Sequence, residues 1–187
     1  TQFNASDNGV IGLGASVGTG TYLIPNGTAT IPTISPFGND MRIGSDGSVR
    51  AKVVGSAPNR CLVIEWNLSM IRYLSSAASG TGTFQARFYE TTGVIEYVYG
   101  TMNTNSATPS VYYVGFSVNS TANNIITINT NTNAVNTGSS TTSNSYSASS
   151  SISDLTSATN GSRKYYRFVP PSSLAEPSGP LTFSSIT

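Results

Sequence analysis

The sequence predicts an all-β protein: an antiparallel β-sandwich or jelly-roll-like domain of about nine short strands, with little helix. Three observations carry that expectation. Charged residues make up only 9% of the 187 positions, where a soluble domain ordinarily carries about a quarter, so Asn, Ser, Thr and Gly must cover the surface. Those short polar side chains are poor helix formers and tolerable in strands. No window sustains a helical apolar period, whereas several show strict alternation or short apolar runs separated by Gly/Asn/Pro turn signals.

Taken in order, strands are expected at about 8–13, 30–35, 48–55, 60–70, 83–91, 94–100, 111–118, 124–130 and 163–169. The turn signals between them include "PNGT" at 25–28, "SDGS" at 45–48, "SAPN" at 56–59 and "ASGTG" at 78–82. "SVRAKVV" alternates, with Val49, Ala51 and Val53 on one face and Arg50 and Lys52 on a wet one. "LVIEW" is apolar on both faces except at Glu65, which suits a strand inside a sheet with Leu62, Ile64 and Trp66 together. The Ser/Thr/Asn run at 136–151 reads as a long surface excursion anchored by Tyr146, although such a run can also pair as a solvated edge strand. After Val169, the prolines at 170, 171, 177 and 180 describe an extended linker. "LTFSSIT" then reads as the first strand of a following domain. The expected division is thus a sandwich module at 1–169 and a linker with a strand of the next domain at 170–187.

"FQARFYETTGVIEYVYG" at 84–100 decides how the glutamates are read. A two-residue turn at Thr92-Gly93 would set Phe88 opposite Tyr97 and Ala86 opposite Tyr99. Phe84, Ala86, Phe88, Ile95, Tyr97 and Tyr99 then form a core face, while Gln85, Arg87, Tyr89, Val94, Glu96 and Val98 form the other. Phe84, Phe88, Ile95, Tyr97 and Trp66 should be buried, and Arg87 and Glu96 should not. Glu90 and Glu96 fall on opposite sides, so they cannot converge on one glycosidic bond as two catalytic carboxylates must. Glu65 with Glu96 would do so only if their strands were neighbours. No catalytic residue is assigned, and the chain is expected not to be an enzyme.

Composition removes other chemistry. There is no histidine, hence no imidazole base or ligand. Cys61 is the single cysteine, so no internal disulfide forms, and its apolar neighbours suit a buried small hydrophobe. Nine basic against eight acidic residues offer no attraction for nucleic acid or an anionic membrane. No apolar run is long enough for a membrane-spanning helix, so direct membrane insertion is not expected. Asp40 and Asp46 in "SPFGNDMRIGSDG" are weak candidates for a calcium loop, lacking the dense acidic spacing of a strong one. "GLGASVGTG" at 12–20 has no basic residue or helix to make a phosphate loop. Tyr73, Tyr89, Tyr112 and Tyr113 are candidates for stacking on sugars, although core or rim packing is the commoner role of such tyrosines. No cofactor is implied.

Five stretches occur in succession: "TQFNASDNGVIGLG", "ISPFGNDM", "GSAPNRCLVIEW", "FQARFYETTGVIEYVYG" and "NGSRKYYRFVPP". That succession resembles an uncharacterised β-sandwich module of large surface and secreted proteins of Bacteroidetes, which carry fibronectin type III repeats and a C-terminal type IX secretion signal. "APNR…IEW" and "FQ…YETT…VIE.VYG" are its most specific parts. The resemblance implies an extracellular or cell-surface module, of adhesin or gliding type, partnered by other domains or copies of the same protein. It carries no catalytic residues. The family places an aromatic and two acids after "PF", where this chain has Gly38, Asn39 and Asp40. Its module also begins several strands before "TQF", so the chain is expected to lack its first strands and to need something in their place. The tail apolar residues Leu181, Phe183 and Ile186 suit a strand donated to a neighbouring copy. Filament assembly by strand exchange is accordingly one alternative function, and carbohydrate binding as an accessory domain of a secreted enzyme is another.

Overall fold

Apolar alternation in the middle of the chain builds the first of two antiparallel sheets. The computed structural model describes residues 2–14, 31–68, 80–104, 109–118, 125–138, 142–147, 151–158 and 160–171. Strands β4 (Ser48–Val54), β5 (Cys61–Leu68), β6 (Gly80–Tyr89) and β7 (Ile95–Thr104) form a meander, and β12 (Tyr165–Phe168) pairs with β7 to complete the order β12-β7-β6-β5-β4. Register places Trp66, Phe84 and Tyr99 in one row and Ile64, Ala86 and Tyr97 in the next, all fully buried on the inner face. Trp66 stacks on Phe84 at 5.0 Å between centroids. Full burial of one such side chain contributes about 1.5–3 kcal/mol.

The second sheet draws its strands from both sides of that meander. β1 (Phe3–Ala5), β2 (Ile11–Leu13) and β3 (Thr33–Gly38) precede it; β8 (Ser110–Ser117), β9 (Ile125–Ile128), β10 (Val135–Thr137) and β11 (Asn144–Tyr146) follow it. They join as β1-β2-β3-β8-β9-β10, with β11 paired to β8. Between the layers, Phe37 stacks on Tyr112 at 4.7 Å and touches Phe84 at 5.7 Å. Three large inward aromatics of the first sheet deliver their polar tips to backbone across the core. Tyr97 Oη donates to Gly115 O (2.8 Å), Tyr99 Oη to Pro36 O (2.6 Å) and Trp66 Nε1 to Ser6 O (2.7 Å). Buried donors need such partners, and here they also fasten one layer to the other.

The all-β sandwich expectation holds, and each of the nine expected strands has a counterpart. β1, β10 and β11 are additions, three residues each and without readable alternation. β11 lies in the run read as a surface excursion. Tyr146 is its anchor, buried, stacked against Tyr112 and bonded to Asn39. β3 continues past its expected end through Pro36 because a register irregularity between Ser35 and Gly38 spares the missing N–H.

The 84–100 hairpin departs from its expected register. Phe88 pairs with Ile95 and Ala86 with Tyr97, the chain turning through residues 90–93 with Gly93 at φ 63°. Glu90 leaves this ladder because its N–H donates to Arg60 O at 2.9 Å. The shift is two residues, so the side chains paired between the two strands keep their expected faces, while Val94, outside the ladder, is buried.

Phe84, Tyr97 and Trp66 are buried as expected, whereas Phe88 and Ile95 are only half-buried. They lie at one end of the inner face, where Ala51 and Val53 of β4 are exposed instead of covered. Arg87 and Glu96 are not buried, as expected, although each is half-covered. No helix among the described residues is long and apolar enough to cross a membrane. Tyr73 and the expected strand donor Leu181, Phe183 and Ile186 lie outside the described residues.

Candidate functional site

The outer face of the five-stranded sheet concentrates the chain's scarce charges. Alternation sends Val63 and Glu65 of β5, Gln85, Arg87 and Tyr89 of β6, and Glu96 and Val98 of β7 to this side. Pairing aligns Arg50, Glu65, Gln85 and Val98 in one row and Lys52, Val63, Arg87, Glu96 and Arg167 in the next. Gln85 bridges acid to base: its Nε2 donates to Glu65 Oε2 at 2.6 Å, and its Oε1 accepts from Arg87 Nε (2.9 Å) and Nη2 (2.7 Å). Tyr89 Oη donates to Glu96 Oε2 at 2.8 Å, and Arg167 Nε lies 3.5 Å from Glu96 Oε1. Burial, then the bond to Glu96, pushes the Tyr89 phenol up. Beside this network lies an open hollow of about 530 Å³, bordered by Arg50, Lys52, Cys61, Arg87 and Tyr89. Burial also pushes the Cys61 thiol up, which disfavours the nucleophilic thiolate.

The geometry bears directly on the carboxylates. β6 lies between the strands of Glu65 and Glu96, which also sit one row apart. Strand spacing puts their Cα atoms about 12 Å apart, and each carboxylate is engaged by a different partner. Glu90 is elsewhere, at the hairpin tip, where its carboxylate accepts from Arg60 Nε at 2.8 Å and pairs with Arg60 Nη2. The Arg60 guanidinium holds Glu90 below the usual carboxylate range. Thr91 Oγ1 donates to Pro58 O in the same cluster. "APNR" and "YETT" therefore meet in space as a clip between two hairpin tips.

The other distinctive motifs are structural in the same sense. Gly9 has φ +70°, and a Cβ there would stand 2.0 Å from Phe37 O. Met41 N donates to Asn8 Oδ1 at 2.8 Å and Asn39 Nδ2 to Tyr146 Oη at 2.8 Å, so "DNG" and "PFGNDM" interlock. Asp40 is half-buried, with its backbone N–H on Asn39 Oδ1, and Asp46 is exposed. Among the described residues no group of three or more His, Cys, Asp or Glu is placed to hold a metal.

Of the tyrosines read as stacking candidates, Tyr89 borders the hollow and Tyr113 is half-buried on β8. Tyr112 must be corrected. It is fully buried against Phe37, with its hydroxyl bonded to Thr130 at 2.7 Å, and presents no face to a ligand. Sequence reading passed over Gln85 as a bridge and Arg167 as the cation of Glu96. The first was findable as the period-two neighbour of Arg87; the second needed the β7–β12 pairing.

Fold and site together define a β-sandwich module whose signature motifs are internal clips and which groups Arg50, Lys52, Glu65, Arg87, Glu96 and Arg167 on one open sheet face. The chain belongs to the NIDO-related family, matching it over residues 1–170. NIDO-like domains occur in extracellular proteins. Comparison with curated proteins and with solved structures gave no match.

Proposed function

We propose that this chain is a non-enzymatic extracellular module, the adhesive or surface-binding part of a larger multidomain protein. The observation that carries the reading is the outer face of the five-stranded sheet. There the bridge through Gln85 fixes Arg87 beside a hollow also lined by Arg50, Lys52 and Tyr89. A pre-positioned guanidinium and two further cations beside an aromatic ring suit oxygen-rich ligands, with little ordering of Arg87 left to cost binding. Tyr89 next to Arg87 favours a polysaccharide surface within that class. Individual contacts would be weak and gain strength from repeated copies on one surface. The motif succession supports display on a Bacteroidetes-type cell surface through type IX secretion. The filament alternative rests on residues 181–186, outside those described.

The test uses beads carrying many copies of the chain, presented to polysaccharide-coated and bacterial surfaces under flow. The reading expects retention, reduced at least fivefold by Arg87→Ala in a variant that melts like the parent. Equal retention of parent and variant overturns it. Turnover of fluorogenic glycosides that Glu65→Gln abolishes would replace it with an enzyme.

A further inference from the structure

β4 is a seven-residue strand at the edge of the five-stranded sheet, paired only with β5 among the described residues. From Arg50 to Val54 every residue is exposed, Val53 at 54%. An edge of this length presents a row of unpaired backbone N–H and C=O groups, a template for another strand. Its two faces differ. Arg50 and Lys52 point outward and have no ion pair among the described residues. On the inner side, Val53 borders an open hollow of about 350 Å³ with the half-buried Leu62 and Phe88 and, at its rim, the Arg60–Glu90 pair.

We propose that the β4 edge is a strand-addition site for an extended acidic segment of another polypeptide, in which Asp or Glu alternates with a small or branched apolar residue. Main-chain pairing to β4 supplies the attachment, and side-chain alternation supplies the selection. Acidic side chains of the added strand stand beside Arg50 and Lys52 on the outer face. Its apolar side chains extend the inner face next to Ala51 and Val53, over the hollow at Leu62 and Phe88. The same charges select against a second copy of this chain. Two β4 edges meeting antiparallel about Ala51 would set Arg50 of each against Lys52 of the other, and the opposite edge of the sheet offers Arg167. Like charges directly opposite one another oppose pairing. The edge shares Arg50 and Lys52 with the Arg87–Tyr89 hollow but not Arg87 or Tyr89, and its role stands whether or not the module is adhesive.

The probe is a fluorescein-labelled Val-Glu-Val-Asp-Val-Glu-Val peptide, titrated with the 187-residue chain and followed by anisotropy. Two control peptides replace the acids by lysine or N-methylate alternate amides. The site expects the acidic peptide to bind at least tenfold more tightly than the lysine peptide, and N-methylation to abolish binding. Arg50→Glu/Lys52→Glu, both on exposed positions, should reverse the charge preference without changing the melting curve. Arg87→Ala should leave peptide binding intact, which separates this result from the adhesion test. Absence of acidic-peptide binding, equal affinity for both charges, or binding that survives N-methylation each overturns the proposal. So does a concentration-dependent dimer in sedimentation that Arg50→Glu/Lys52→Glu disrupts, since a second copy would then be the occupant.

Discussion

The two sheets of this sandwich are stabilised by different chemistry. Four strands of the five-stranded sheet, β4 to β7, form a local meander of long strands whose inner face is a continuous layer of aromatic and aliphatic side chains. The other sheet includes short strands rich in Asn, Ser and Thr, and it carries polar groups into its interior. Thr33 and Ser117 hydroxyls meet at 2.8 Å across β3 and β8. Asn144 takes Thr130 N–H at 2.8 Å and gives its amide to Ile128 O at 2.9 Å, while Thr130 also meets Tyr112 Oη. The difference shows how a chain with 9% charged residues can fold with so much hydroxyl and amide. One layer supplies hydrophobic burial, and the other spends its polar side chains closing backbone groups that its short strands leave open.

That contrast can be broken most severely in the aromatic layer. Phe84→Ala empties a site between Trp66, Phe37 and Tyr99 and should cost about 3–5 kcal/mol, read as a lowered denaturant midpoint. Phe88→Ala should cost clearly less, because Phe88 is half-buried at the uncovered end of the same face; an equal loss would mean that this end is covered in solution. In the polar layer, Asn144→Ala strands the Thr130 N–H and should cost about 1–3 kcal/mol. Asn144→Asp should recover part of that loss, since it keeps the acceptor.

Alkaline titration sharpens the comparison, because the buried Tyr97 and Tyr99 and the half-buried Tyr166 belong to the first sheet and the buried Tyr112 to the second. Burial pushes Tyr97, Tyr99 and Tyr112 upward, and burial with nearby Asp154 pushes Tyr166 up to about 12. In the unfolded chain a tyrosine ionises near about 10. A phenol with a raised folded pKa contributes its stability in full below that unfolded value and loses it as pH rises toward the folded one. The expected outcome is constant stability to about pH 10, then unfolding accompanied by a late, cooperative tyrosinate absorbance. Early ionisation of all ten tyrosines would contradict the buried placement.

The smallest effect belongs to the clip. Glu90 has a depressed folded pKa, so its contribution is present above the unfolded carboxylate value and fades as pH falls through the folded one. The pair is solvent-exposed, so Glu90→Gln should leave the melting temperature within measurement scatter.

The sequence showed the first sheet more clearly than the second, for a physical reason. Trp66, Ile64, Phe84 and Tyr97 announce their faces through period-two burial, and that signal survives even the misjudged turn, since a two-residue slip preserves facing. "FNA", "VNT" and "NSY" have no such period; they become strands because neighbours present open ladders to them. The candidate site divides similarly. Tyr89, Arg87 and Glu96 were legible as one face of a hairpin. The bridging amide of Gln85 and the approach of Arg167 depend on side-chain reach and on a pairing with β12, neither of which local alternation encodes. Tyr112 misled because it stands beside Tyr113, and alternation sends the two rings to opposite faces without saying which face is the inner one.

The interrupted pairing of the second sheet has a consequence for the order of folding. Thr33 of β3 pairs with Ser117 of β8, and Asn39 meets Tyr146 across 107 positions. The intervening meander has only near-neighbour contacts to close and is expected to form first; its early aromatic layer gives the distant segments a surface on which to assemble. Loop closure over such separations is slow, and strands waiting for partners are prone to collect wrong ones. During synthesis β1 to β3 emerge well before β8 exists to receive them. Brevity suits that delay: β1 and β2 are three residues each and β3 is interrupted by Pro36, so the waiting segments offer little continuous edge for another nascent chain to capture.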